Sequence, residues 1–168
     1  MIAHDMGENY DEIRNLMMED YKRMSGLPSA GFAAGPCLLK DTMQLANLSR
    51  NANFLAQAAM NINERMPEYL IQMIKRSHDL DNAKVGILGM AFKANIDDIR
   101  DSLALKLEEI LKKKKVKVIK SDYLHKEKGD LTTKKLIKKS DIIIIGSPHD
   151  KYKMLKLNKD KVLINIWD

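Results

Sequence analysis

The sequence predicts an α/β fold in two parts, a helical segment followed by a parallel sheet wrapped in helices. Three observations support this. From Phe54 to Ile74 apolar residues recur at helical spacing, whereas from Lys84 onward short β-branched runs alternate with amphipathic stretches. The run Ile142–Ile145 suits a strand buried on both faces, as parallel sheets require. The charge also changes sign. Residues 1–82 carry 8 Lys+Arg against 11 Asp+Glu, and residues 83–168 carry 21 against 12. The switch falls at "HDLDNAK" (His78–Lys84), which reads as a helix end and a short connection. The expected division is therefore 1–80 and 83–168.

Each element has a local cause. Asn9 is placed to cap a short helix, with Glu12 completing a capping box and Ile13, Leu16 and Met17 on one face. "MSGLPSAGFAAGP" is loop, because its glycines and prolines break regular structure. Asp41 or Thr42 can cap a long helix running through Phe54, Leu55, Ala58, Ile62, Met66 and Ile74. Pro67 should kink that helix or open a second one. So long an apolar stripe cannot be covered by one short neighbour, so it is expected to pack on another subunit or domain. Further on, strands are expected at Lys84–Leu88, Val116–Ile119, Asp141–Gly146 and Lys161–Ile166. Helices are expected over "RDSLALKLEEILKKK", with Ser102 near its start, and over "LTTKKLIKKS". This alternation argues for right-handed crossovers and roughly one mononucleotide-binding half of a doubly wound fold.

Composition narrows the function. The 168 residues are 45% hydrophobic and 31% charged, as in an ordinary globular chain. No apolar run approaches the roughly 18 residues of a membrane span, and the start "MIAHDMGENYDE" is unlike a signal or transit peptide. A lone cysteine makes no internal disulfide, so a cytoplasmic setting is expected. Eleven methionines suggest a soft core or interface. "KKKK" (Lys112–Lys115) sits at a helix end, where cations suit the dipole. No aromatics interleave with it, so no nucleic-acid partner is expected.

Candidate chemistry clusters at two places. "KVGILGMAFK" is a strand ending in a glycine turn, but Gly86 and Gly89 lack the G-x-G-x-x-G spacing that holds a dinucleotide. Lys93 after that turn and Arg100 before the next helix would suit a phosphate; the alternative is a solvated loop. The other place is "GFAAGPCLLKD". Gly31 and Gly35 permit close approach of a ligand, Cys37 stands at a helix entry that favours a thiolate, and Lys40 and Asp41 follow within about one turn. Such a thiolate can attack a carbonyl carbon, although a lone Cys is more often a small buried hydrophobe. His149, just after the buried strand, reads either as catalytic or as an ordinary loop or helix-capping histidine.

These blocks together carry a family resemblance. "GFAAGPCLLKD" resembles the glycine-rich, Cys-x-x-Lys-Asp loop of the nucleotide-sugar 6-dehydrogenases, the UDP-glucose/UDP-N-acetylmannosamine dehydrogenase family. "NINERMP" (Asn61–Pro67) resembles the family's central helix, and "GILGMAFKANIDDIRDS" resembles the opening of its Rossmann-like UDP-binding domain. "IIIIGSPHDKY" and "INIWD" are similar to its last strands and stand in family order. The resemblance implies an NAD-dependent oxidation of a UDP-hexose to its uronic acid through a thioester on Cys37. Asp41 would position water and handle protons, and Lys40 would lie beside NAD. Gly31, Phe32 and Gly35 would lie along the nucleotide sugar. Lys93 would reach the sugar and phosphate, Arg100 would sit in the matching motif, and Arg23 would be contributed across a homodimer. The resemblance leaves the choice of UDP-sugar open. It also implies a preceding NAD-binding domain, of which this sequence shows nothing. The expectation is therefore a chain that binds UDP-sugar without turning it over. The alternative is a non-catalytic binding and dimerisation module.

Overall fold

The computed structural model describes residues 1–48, 53–155 and 157–167. Helices α1 (Ile2–Asp5) and α2 (Tyr10–Met18) lead into a 3₁₀ turn at Lys22–Met24. The Asn9 side chain caps α2 by accepting from the Asp11 and Glu12 amides. After the glycine-rich loop come α3 (Pro36–Leu48), α4 (Asn53–Glu64) and α5 (Met66–Ser77). Pro67 opens α5 near its start, where a missing N–H costs nothing.

The expected single long helix is not what forms. Helices α3 and α4 pack side by side. Leu38 and Leu39, near the start of α3, share a small cleft with Met60 and Asn63, near the end of α4, so the two run antiparallel. The part of the expected helix at 49–52 lies outside the described residues. Folding back lets part of the apolar stripe cover itself. Met60 is buried, but Leu48, Phe54 and Leu55 stay 82%, 76% and 80% exposed.

The remainder is a four-stranded parallel sheet of order β2-β1-β3-β4, with β1 (Lys84–Leu88), β2 (Lys117–Ser121), β3 (Ile142–Ile145) and β4 (Val162–Asn165). Crossover helices α6 (Leu103–Lys113) and α7 (Thr133–Lys139) follow β1 and β2. Ser102 and Thr132 cap them as N-cap residues do, each accepting a backbone N–H. Strand β2 starts one residue later than expected. Lys115 is left-handed (φ +62°), and the Val116 amide is spent on Leu111 at the end of α6.

The sheet is covered on both faces, as its β-branched runs require. Val85, Ile87, Ile142 and Ile144 meet Leu103, Leu107 and Leu111 of α6 and Leu70, Ile71 and Ile74 of α5. Leu88, Ile143 and Ile145 meet Leu136 of α7 and Tyr152. Thus the connection at residues 78–84 marks a change of charge, while one hydrophobic core runs across it. The strand order reverses between β1 and β3, which is where doubly wound sheets bind ligands, beyond the carboxyl ends of their strands.

Candidate active site

The cysteine loop is fastened to the far end of the chain. Phe32 is buried in the main core, and its ring meets Trp167 edge-on at 6.3 Å. Gly31 lies under the Trp167 ring. A Cβ there would stand 2.1 Å from a ring carbon, and φ is +128°. Gly35 (φ +120°) is similarly covered by Phe92, whose ring would be 2.9 Å from a Cβ. On the side where a Cβ would stand, both glycines make room for aromatic rings of the chain itself. Trp167 is held by an N–H bond from its indole to the Ile145 carbonyl at the end of β3, 3.1 Å.

This loop delivers Cys37 to the first turn of α3, exposed. The helix dipole there favours negative charge. Arg100 lies within electrostatic reach of the sulfur. It is itself gripped by Asp98, with Nη2 to Oδ2 at 2.6 Å and Nε to Oδ1 at 3.0 Å. The Arg100 hydrogen bonds and charge hold the Asp98 carboxyl down at about 2. Asp101 lines the cleft between Gly35, Leu38 and α4. Glu64 of α4 pairs with Lys106 of α6, which ties the helical hairpin to the sheet.

The predicted residues therefore fall into groups. Gly31, Phe32, Gly35, Cys37 and Arg100 converge where the loop meets the segment after β1. Lys40 and Asp41 continue along α3, both exposed and 3.7 Å apart. Lys93 is exposed on the turn after β1, next to the Phe92 that covers Gly35. Arg23 stands in the 3₁₀ turn. The loop that follows this turn is fastened to α2 by Arg14 Nε, which donates to the Leu27 carbonyl at 2.7 Å.

Sequence reasoning missed two features. The Asp98 grip was visible as the spacing Asp-x-Arg, which places the carboxylate over its own guanidinium. The other is a buried histidine–carboxylate pair beyond the strand ends. His149 stands at the N-cap position of a 3₁₀ turn (Asp150–Tyr152), as the capping reading expected, but its side chain makes no capping bond. It is fully buried, with Nε2 3.1 Å from Asp122 Oδ2. Burial alone would raise the Asp122 carboxyl. Bonds from His149 and from the Met90, Leu124 and His125 amides instead hold it far below the ordinary range. Burial, helped by the Asp122 charge, pushes the Tyr152 phenol well up.

A Cβ on Gly89 would lie 2.6 Å from the Ser147 carbonyl oxygen, so the turn after β1 packs directly on the segment after β3. Among the described residues there is no group of His, Cys, Asp and Glu arranged to hold a metal, and no helix is long and apolar enough to cross a membrane.

With the geometry in place, comparison with known proteins decides the family. Residues 86–167 match the UDP-binding domain of the UDP-glucose/GDP-mannose dehydrogenase family. Residues 86–167 thus form a UDP-binding domain of this family. It is 29% identical to the UDP-N-acetyl-D-mannosamine dehydrogenase of Pyrococcus horikoshii over 91% of its own length and 37% of that protein. It is 38% identical to the UDP-glucose 6-dehydrogenase of Haloferax volcanii over 46% of its length and 19% of that protein. Among solved structures, the Pyrobaculum islandicum UDP-glucose dehydrogenase superposes with a TM-score of 0.81 at 26% identity, over 98% of this chain and 41% of that one. The P. horikoshii enzyme superposes with a TM-score of 0.80 at 25% identity, over 98% and 46%. The chain thus spans less than half the length of these UDP-sugar dehydrogenases.

Proposed function

We propose that this chain forms the nucleotide-sugar-binding and thiol-bearing part of an NAD-dependent UDP-sugar 6-dehydrogenase. The observation that carries this reading is the packing of the Cys37 loop on the segment following β1, where Phe92 covers Gly35 and Arg100 lies within electrostatic reach of the thiol. Lys93 supplies the cation for a phosphate. Gly31 to Gly35 form the wall along the sugar, with their aromatic backing fixing the wall's position. Phe32 contributes through that packing.

NAD supplies hydride acceptance when bound, and the described residues hold no cradle for it. The chain's own part is covalent. A sugar aldehyde at carbon 6 is attacked by the Cys37 thiolate, and the C–S bond forms as the carbonyl electrons pass to oxygen. Once that adduct has been oxidised to a thioester, water attacks the acyl carbon and the C–S bond breaks, leaving a carboxylate and free Cys37. Asp41, one turn along α3, takes the proton of that water. Lys40 offers a cation beside the reacting centre. The exposed apolar tip of the α3–α4 hairpin is the surface for a second copy of the chain, and Arg23 is the residue such a copy would contribute.

Isothermal calorimetry with UDP, UDP-glucose and UDP-N-acetylmannosamine tests the binding step. Binding is expected, and Lys93→Gln should weaken it by about tenfold, the value of one charge-assisted bond. A folded wild-type sample that takes up none of the three ligands would overturn the reading. Assayed alone with NAD and a UDP-sugar, the 168-residue polypeptide should form no NADH.

A further inference from the structure

The buried His149–Asp122 pair is used by no step above, yet it lies beyond the carboxyl ends of β1, β2 and β3, directly under the Lys93 turn. His149 Nδ1 accepts the Asn95 backbone N–H at 2.8 Å. An acceptor nitrogen carries no proton, so the ring is neutral and its proton is on Nε2, donated to Asp122 Oδ2 at 3.1 Å. The carboxylate is fixed in turn by the Met90 amide at 2.7 Å on Oδ2 and by the Leu124 amide at 2.8 Å on Oδ1. The rings of Tyr123 and Tyr152 box the imidazole at 5.1 and 5.4 Å.

At the other end of this chain of bonds stands Asn95. Its backbone is left-handed, φ +60°, a conformation non-glycine residues rarely hold without support. Its side chain spans to the segment after β3. Nδ2 donates to Asp150 Oδ2 at 2.8 Å, and Oδ1 accepts the Asp150 amide at 3.1 Å. Asn95 is thus pinned at backbone and side chain to a single short stretch, and Lys93 sits two residues before it.

We propose that His149 is a positioning residue of the nucleotide-sugar site: as the Nε2–H tautomer, oriented by Asp122, it holds the Asn95 amide and so presents Lys93 to the ligand's phosphate. This rests on the UDP-sugar reading above. It differs from a purely structural role because only one edge of the imidazole matters to the ligand. The Nδ1 edge orders the turn, and the Nε2 edge satisfies the buried carboxylate.

Two substitutions separate the edges. His149→Asn keeps an acceptor oxygen near the place of Nδ1 and gives up the bond to Asp122. His149→Gln keeps an N–H near the place of Nε2 and gives up the acceptor for Asn95. Both are compared with wild type for UDP affinity by calorimetry and for exchange protection of the Asn95 amide by NMR. Expected is a Kd about tenfold weaker in His149→Gln with Asn95 unprotected, and partial rescue of both in His149→Asn. Equal behaviour of the two variants would overturn the proposal. So would ¹⁵N shifts of the wild-type ring showing a protonated Nδ1, a measurement that needs no variant to fold. If wild type binds no UDP, the nucleotide-sugar reading fails, and the Asn95 exchange pattern alone decides whether His149 orders the turn.

Discussion

Replacing Gly31 by alanine tests the claim that the cysteine loop is clamped by the C-terminal tryptophan. A Cβ would stand 2.1, 2.4 and 2.8 Å from carbons of the Trp167 ring. Carbon atoms rest about 3.5–4 Å apart, so the ring has to move by more than ~1 Å. Moving it breaks the indole bond to Ile145 O and the edge contact with Phe32. Those losses amount to about 2 kcal/mol together. The backbone at φ +128° adds strain of about 2 kcal/mol, because that region is essentially reserved for glycine. The total, roughly 4 kcal/mol, is a large share of an ordinary domain's stability. With a urea m-value of about 2 kcal/mol/M, the unfolding midpoint should fall by about 2 M. The double variant with Trp167→Ala separates the two causes. Without the indole, Gly31→Ala should cost only the backbone strain, about 2 kcal/mol, so the two changes are less than additive. Simple additivity, or a Gly31→Ala midpoint equal to wild type, would refute the clamp.

Other expectations follow from the same geometry. Asp98 is held at about 2 by Arg100, so its contribution to stability is fully present above an unfolded value near 4 and is lost as pH falls toward 2. A carboxyl titration of Asp98 seen by NMR at its ordinary value near 4 would contradict the grip. Arg100→Gln removes a cation within electrostatic reach of the Cys37 sulfur, and alkylation of Cys37 by iodoacetamide should slow, since that cation attracts the anion that reacts. An unchanged rate would separate the two residues. The apolar hairpin tip should drive self-association in analytical ultracentrifugation, and Leu55→Glu, on a side chain 80% exposed, should leave a monomer; wild type that is itself monomeric at ~100 µM removes that surface from consideration.

The sheet was legible because its signals are local. A β-branched run such as Ile142–Ile145 fixes a doubly covered strand, and Ser102 fixes the start of α6, with no need of distant residues. The long helix failed for a related reason. Apolar spacing from Phe54 through Ile74 reports one face but not what covers it, and a helix bent back on itself has the same spacing as a straight one. The antiparallel packing of α3 on α4 is a long-range choice, set by how much apolar surface the chain can hide.

The site divides along the same line. Cys37 at a helix start and Asp98 two residues before Arg100 are short-range relations that the chain spells out directly. The rest of the site is built from contacts between segments far apart in sequence. Gly31 needs Trp167, Gly35 needs Phe92, and Asn95 needs His149, which in turn needs Asp122. No periodicity connects those positions, and each taken alone has an ordinary reading: a loop glycine, a terminal aromatic, a turn asparagine. What gives them meaning is the reversal of strand order between β1 and β3, which gathers the segments after β1, β2 and β3 at one end of the sheet. A buried histidine there is satisfied on both nitrogens only if the turn after β1 and the segment after β2 are both in place. The pair therefore makes the order of the Lys93 turn depend on the sheet itself, so a substitution in this network should loosen ligand binding before it unfolds the domain.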